Sequence, residues 1–113
     1  MYKLPLGKSI ALKSGKFYEL IDEMVALGFE TVDTCMCSGG FWFETEEIEE
    51  TKKRLAYVKS TSLVLNGIHI PYGNQWDISA ATEDNRKISV GNVKKIVALT
   101  REFEPKTYIL HGY

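Results

Sequence analysis

Two histidines occupy equivalent places in the chain, and they are its only histidines. His69 and His111 lie 42 residues apart, and each ends an apolar run that predicts a buried strand. In a sheet of parallel strands, ligands bind at the carboxyl ends of the strands. Two neutral imidazoles there can bind a divalent metal ion or form hydrogen bonds with a polyol. The competing interpretation is a pair of packed, hydrogen-bonded residues.

The strand preceding these two ends in three further polar or sulfur-bearing residues. Asp33 is a candidate metal ligand or general base, and the alternative is a structural partner for a neighbouring backbone N–H. Cys35 and Cys37 could supply half of a zinc site. Their C-x-C spacing is shorter than the usual spacing of zinc ligands, so the alternative is that both are small buried hydrophobic residues.

Aromatic residues cluster in the loops that follow the second and third strands. Aromatic rings on the ligand-binding face of a sheet can stack on the apolar faces of sugars or on bases. The alternative is that they fold back over the core or fill a subunit interface. The residues concerned are Phe41, Trp42, Phe43, Tyr72 and Trp76.

Hydrophobic periodicity predicts the elements that position these residues. Mostly apolar runs predict strands over 29–37, 63–70 and 107–111, and a run interrupted at its start by Pro5 and Gly7 predicts a first strand over 4–12. Helical spacing predicts a helix beginning after Ser14 and ending at Gly28, and two more over 45–60 and 82–104. The third helix has an apolar stripe of Ile88, Val93, Ile96, Val97 and Phe103.

The alternation β-α-β-α-β-α-β predicts an α/β fold of parallel (β/α) units, with residues 1–113 forming a single (β/α)3β unit. Such a unit is about half of a (β/α)8 TIM barrel, which typically needs roughly 250 residues. The last predicted strand has no helix to cover it, although parallel strands are normally covered on both faces. We therefore favour half of a barrel over the alternative, a complete small α/β sheet.

Composition excludes a disordered protein, a collagen and a coiled coil. The 113 residues are 44% hydrophobic and 26% charged, which is typical of a globular domain. The net charge of −1 gives no long-range attraction to a polyanion, so a nucleic-acid partner is not expected. No apolar run approaches the roughly 18 residues of a membrane span, and no secretory signal begins the chain. We expect a cytoplasmic protein without a membrane partner.

Four segments together resemble the xylose isomerase-like TIM-barrel superfamily, which contains sugar (phosphate) isomerases and epimerases and the apurinic endonuclease type-2 enzymes. Each segment is short, and the resemblance depends on their order along nearly the whole chain. The segments are Gly28-Phe29-Glu30-Thr31-Val32-Asp33, Gly67-Ile68-His69-Ile70-Pro71-Tyr72, Trp76-Asp77-Ile78-Ser79 and Tyr108-Ile109-Leu110-His111.

The resemblance implies a fold, a set of site residues and a cofactor. The chain would be the N-terminal half of such a barrel, with His69 and His111 at positions that approach substrate or bind metal. Asp33 stands where family members often carry Glu. The implied cofactor is a divalent ion (Zn, Mn or Mg) held by His69, His111 and Asp33. The aromatic residues Trp42, Tyr72 and Trp76 would join the histidines in binding substrate.

The function expected from this resemblance is a sugar (phosphate) isomerase or epimerase that moves a proton at a carbon next to a carbonyl. Family members hold the catalytic metal mainly with residues of strands 5 to 8, so these 113 residues would supply only part of the site. The alternatives are a metal-dependent phosphodiester hydrolase and a non-catalytic half-barrel that binds or assembles. The expected partners are a small sugar or sugar phosphate and either a second copy of the chain or a missing second half.

Overall fold

The computed structural model describes residues 4–36 and 42–111. Within these ranges, strands and helices alternate along the chain, and a short 3-10 turn precedes the last strand. In chain order the elements are β1 (Gly7–Ala11), α1 (Phe17–Ala26), β2 (Thr31–Cys35), α2 (Thr45–Lys59), β3 (Val64–His69), α3 (Glu83–Thr100), the 3-10 turn (Arg101–Phe103) and β4 (Thr107–Ile109).

The four strands form one parallel sheet in the order β1-β2-β3-β4. The predicted α/β class with parallel β/α units is therefore confirmed. The strands are shorter than the apolar runs that predicted them, because apolar residues beyond the strand ends also pack into the core. Leu12 and Ile70 are each 1% exposed although both follow the end of a strand.

The helices pack on one face of this sheet. Alternate strand residues point to that face and join the buried sides of all three helices in a single hydrophobic cluster. The strand and strand-end members of the cluster are Ile10, Leu12, Val32, Met36, Leu63, Leu65, Ile68 and Ile70, and the helical members are Phe17, Ile21, Met24, Leu55, Val58 and Ile96. No helix among the described residues is long and apolar enough to cross a lipid bilayer.

The opposite face of the sheet, which we call the open face, carries mainly small and polar side chains. The residues that alternate with the buried ones are half-buried or exposed, apart from Gly67. They are Gly7, Ser9 and Ala11 on β1, Thr31, Asp33 and Cys35 on β2, Val64, Asn66, Gly67 and His69 on β3, and Thr107 and Ile109 on β4. The open face therefore differs in composition from the apolar face that the helices cover.

Two helix ends follow the sequence signals, and two do not. The helix predicted to begin after Ser14 begins at Phe17, with Lys16 at its N-cap position and no side-chain cap. Gly28, just beyond the end of α1, has a φ of 82°, as expected of the residue that ends a helix. The Thr82 hydroxyl accepts a hydrogen bond from the Asn85 N–H and caps α3. The predicted third helix was too long, because α3 ends at Thr100 and the 3-10 turn leads into a left-handed Glu104.

Arg54 of α2 fixes the loop between β1 and α1. Its Nη1 donates hydrogen bonds to the carbonyl oxygens of Leu12 and Ser14, at 2.7 and 2.6 Å, and its Nε donates to Glu50 at 2.8 Å. Only 14% of the Arg54 side chain is exposed. A planar fork of donors is needed for these three bonds, which lysine cannot reproduce.

We expect Arg54→Gln to lower the free energy of unfolding by about 1.5–3 kcal/mol, because it removes charge-assisted bonds to two loop carbonyls. Urea denaturation measures this change. Arg86→Gln is the matched control, since Arg86 pairs with Glu83 on an exposed helix face and its loss should cost less than about 1 kcal/mol. Equal losses in the two variants would contradict the bracing role of Arg54.

The Arg54–Glu50 pair makes part of the free energy of unfolding depend on pH. The hydrogen bond from Arg54 lowers the pKa of Glu50 below its ordinary value of 4.5. A carboxylate whose pKa is lowered by folding stabilises the fold above its ordinary pKa, and that contribution disappears as the pH falls through the lowered value. The difference between wild type and Arg54→Gln should therefore shrink in acid below pH 4.5.

Candidate functional site

The two histidines lie together at the carboxyl edge of the open face. His69 is the last residue of β3, and His111 follows the end of β4, which pairs with β3. Their ring centroids are 5.9 Å apart and the ring planes are inclined by 29°, in a stacked arrangement. Both imidazoles therefore lie at the same edge of the sheet, as their places at the ends of two predicted strands suggest.

Tyr72 extends this pair into a row of three rings. It lies in the loop after β3, with its ring centroid 5.6 Å from that of His111 and an interplanar angle of 66°. Its side chain is exposed at 44%. The row therefore offers two imidazoles that can form hydrogen bonds and an aromatic surface that can contact C–H groups.

Asp33 lies beside His69 on the neighbouring strand. One of its carboxylate oxygens is 3.7 Å from Nε2 of His69, and the other accepts a hydrogen bond from the Asn66 side-chain amide at 3.0 Å. Both side chains of the Asp33–His69 pair are partly exposed, at 30% and 26%. The structural partner of Asp33 is thus a side-chain amide, where the sequence suggested a backbone N–H as the alternative to a site role.

The two tryptophans lie on the other side of the sheet. Trp42 and Trp76 are 2% and 5% exposed and belong to the hydrophobic cluster between sheet and helices. The Lys13 ammonium lies over the Trp42 ring at 4.1 Å, and Phe43 packs against Trp76 with ring centroids 5.8 Å apart. This burial favours the interpretation in which loop aromatics cover the core. Contact between these tryptophans and substrate stays a prediction, and Phe41 lies outside the described residues.

The sequence suggested two metal sites, one at the cysteines and one at the histidines with Asp33. Cys35 is half-buried on the open face and is the register partner of His69, whereas Cys37 lies outside the described residues. Among residues 4–36 and 42–111, no group of three or more His, Cys, Asp and Glu side chains is arranged to hold a metal ion. Asp33, His69 and His111 as placed here do not fit a complete metal site, so we derive no chemical step through a metal.

A groove of about 430 Å³ lies away from the histidines, between α2 and the loop that follows β1. Four of its charged side chains are paired within the groove, Lys13 with Glu47 and Arg54 with Glu50. The only unpaired carboxylate side chain among its lining residues is the exposed Glu46, so the groove offers little to a charged ligand.

One residue of the site was missed by sequence reasoning. Asn66, which binds Asp33, belongs to a β-bulge: Val32 pairs with Leu65 but Asp33 pairs with Gly67, so that Asn66 is an extra residue on β3. The signal was the Asn66-Gly67 pair inside an apolar strand, because a glycine within a strand often marks a bulge.

Comparison with known proteins does not assign the chain to a family. The chain matches no protein-family model, and a search of curated proteins found no significant relative.

Proposed function

We propose that this chain is half of a (β/α)8 barrel of the xylose isomerase-like kind, with the open face as part of its inner wall. The sequential strand order supports this proposal, because consecutive parallel strands with all helices on one face are the arrangement of a barrel segment. A doubly wound sheet would instead reverse its strand order and carry helices on both faces. The polar side chains of Asp33 and His69 near the carboxyl end of the open face also suit a barrel wall, because ligands bind at that end of a barrel.

We further propose that the carboxyl edge of the open face around His69 and His111, which we call the histidine edge, binds a sugar or sugar phosphate. The proposed reaction is isomerisation or epimerisation. The observation that carries this proposal is the juxtaposition of His69, His111, Tyr72 and Asp33 at the carboxyl edge of the open face. Imidazoles can donate to and accept from hydroxyl groups, and one beside a carboxylate can take up a proton from carbon or oxygen. Tyr72 would pack against the C–H face of the sugar.

The chain supplies only part of the catalytic machinery in this proposal. Moving a proton between neighbouring carbons requires a base and an electrophile that polarises the carbonyl. His69 with Asp33 is our candidate for the base, and the remaining groups would come from the other half of the barrel. The phosphodiester hydrolase alternative gains no support from a net charge of −1.

Ligand binding to the 113-residue chain tests the sugar proposal. In NMR titrations with D-xylose, D-fructose and D-fructose 6-phosphate, we expect at least one ligand to shift the ring resonances of both His69 and His111. Deuterium uptake from D₂O at the carbon next to the carbonyl would then identify proton transfer. Shifts without uptake would favour a binding module, and the absence of histidine shifts with all three sugars would contradict the proposal.

We also expect the 113-residue chain to self-associate at micromolar concentration. The open face and the two outer strand edges offer unpaired backbone groups and uncovered apolar atoms to a second copy. Two copies joined edge to edge would approximate an eight-stranded barrel with twofold symmetry. Light scattering should therefore give twice the mass of one chain.

A charged residue on the open face should reverse this association. Ala11→Lys places an ammonium on the open face of β1, whereas Ala26→Lys, at the exposed end of α1, is the matched control. We expect a monomer for the first variant and a dimer for the second. A stable wild-type monomer at micromolar concentration would contradict the half-barrel proposal and favour a complete small α/β sheet.

A further inference from the structure

The bulge on β3 brings two consecutive residues to the open face. Leu65 and Ile68 are both buried against the helices, at 1% and 0% exposure, and the extra residue lies between them. Asn66 and Gly67 are therefore free to face the other side, directly beside Asp33. A Cβ at position 67 would lie only 3.3 Å from Asp33 Oδ1 and 2.9 Å from Ile109 Cδ1, so glycine leaves room for the carboxylate.

Hydrogen bonds to β4 hold the bulge in place. The Thr107 hydroxyl donates to the Asn66 carbonyl oxygen at 3.0 Å, and the Lys106 N–H donates to the Leu65 carbonyl oxygen at 3.3 Å. The Asn66 backbone is thus anchored independently of its side chain. Its side-chain amide is then positioned to donate to Asp33 Oδ1 at 3.0 Å.

This bond determines which way the carboxylate faces. With Oδ1 occupied by Asn66, the second oxygen, Oδ2, lies 3.7 Å from Nε2 of His69. A carboxylate beside one imidazole nitrogen favours the tautomer that carries its proton on that nitrogen. The other nitrogen, Nδ1, is then left with its lone pair.

We propose that Asn66 is a positioning residue of the histidine edge, acting through Asp33 to keep the proton of neutral His69 on Nε2. The functional consequence of this proposal rests on the proposed function, because the lone pair left on Nδ1 would accept a proton from a hydroxyl group or from carbon. The arrangement of Asn66, Asp33 and His69 itself does not depend on which ligand binds.

The experiment follows the His69 ring in the ¹⁵N-labelled 113-residue chain, in metal-free buffer at about pH 8, where imidazole is neutral. Long-range ¹H–¹⁵N correlations identify the protonated nitrogen, and the exchange rate of its proton with water reports how far the nearby Asp33 carboxylate protects it. In the wild type we expect a proton on Nε2. In Asn66→Ala we expect this proton to exchange about tenfold faster, which corresponds to about 1.4 kcal/mol of lost protection.

Four further variants separate positioning from a structural role. Thr107→Val removes the bond to the bulge backbone but leaves the Asn66 amide, so its exchange rate should stay within about twofold of wild type. Asp33→Asn should match Asn66→Ala, and the double variant should show no further increase, because both act through one carboxylate. Asn66→Ser keeps a donor at the bulge and should restore part of the protection.

An unchanged exchange rate in Asn66→Ala, or a wild-type proton on Nδ1, would overturn the proposal. If Asn66→Ala fails to fold, the comparison of wild type, Asp33→Asn and Asn66→Ser decides in the same way: equal rates in all three overturn it. Sugar titration of the same samples keeps the two proposals distinct. Fast exchange in Asn66→Ala with no sugar binding would leave the positioning role standing and contradict the proposed function.

Discussion

Replacing both histidines by alanine should weaken sugar binding by about 30-fold. The sugar tested is the one that shifts the ring resonances of His69 and His111. Each imidazole contributes a hydrogen bond worth about 1 kcal/mol to a ligand hydroxyl, and the two together correspond to about 2 kcal/mol. His69 and His111 are both on the surface of the fold, at the edge of the sheet, so their loss should leave the core intact. Calorimetry or NMR titration of His69→Ala/His111→Ala measures the change in Kd.

The matched control is the double variant Lys87→Ala/Lys94→Ala, which removes two exposed side chains from α3. We expect its Kd to stay within about twofold of wild type, since surface changes away from the site have small effects. Equal weakening in both double variants would show that the sugar binds elsewhere or only through non-specific contacts. The single variants should each cause about half of the loss in binding free energy if the two imidazoles contact different hydroxyl groups.

The largest stability effect is expected at Ile68, in the middle of the sheet. Its side chain is fully buried between β3 and the helices. Ile68→Ala should lower the free energy of unfolding by about 2–5 kcal/mol, because it removes buried methyl groups and leaves a cavity. For a domain with a total stability of about 5–15 kcal/mol, this loss is a large fraction. Urea denaturation followed by circular dichroism measures it.

Ile88→Ala provides the same chemical change at an exposed position. Ile88 lies on α3 with 52% of its surface exposed, and alanine favours helix formation more than isoleucine does. We expect a change smaller than about 0.5 kcal/mol. A loss as large as that of Ile68→Ala would show that this side of α3 is buried against a second copy or another part of the protein.

The sequence by itself determined the order of elements and the edge at which the site forms. Continuous apolar runs separated by helical patterns predicted parallel β/α units, because parallel strands that are covered on both faces show little polar alternation. The two histidines end consecutive predicted strands, and parallel strands end at the same edge of a sheet. Their separation of 5.9 Å follows from the pairing of β3 with β4.

Only the tertiary structure decided which apolar and aromatic side chains are buried. On α3, the predicted stripe included Ile88, but Ile88 is exposed and the neighbouring Ser89 is fully buried, with its hydroxyl 3.4 Å from the Asn74 carbonyl oxygen. Helical spacing fixes which residues share a face, but the packing of α3 against α2 decides which face turns inwards. The same holds for Trp42 and Trp76, whose loops fold over the core.

The partner of Asp33 was also decided by tertiary structure. The carboxylate of Asp33, in the middle of β2, has several possible partners, and its bond to Asn66 depends on an extra residue in the adjacent strand. The sequence contained Asn66 and Gly67 but gave no register, and register determines which side chains become neighbours across a sheet. Residue types and spacing therefore located the histidine edge, whereas strand pairing set the contacts that orient its carboxylate.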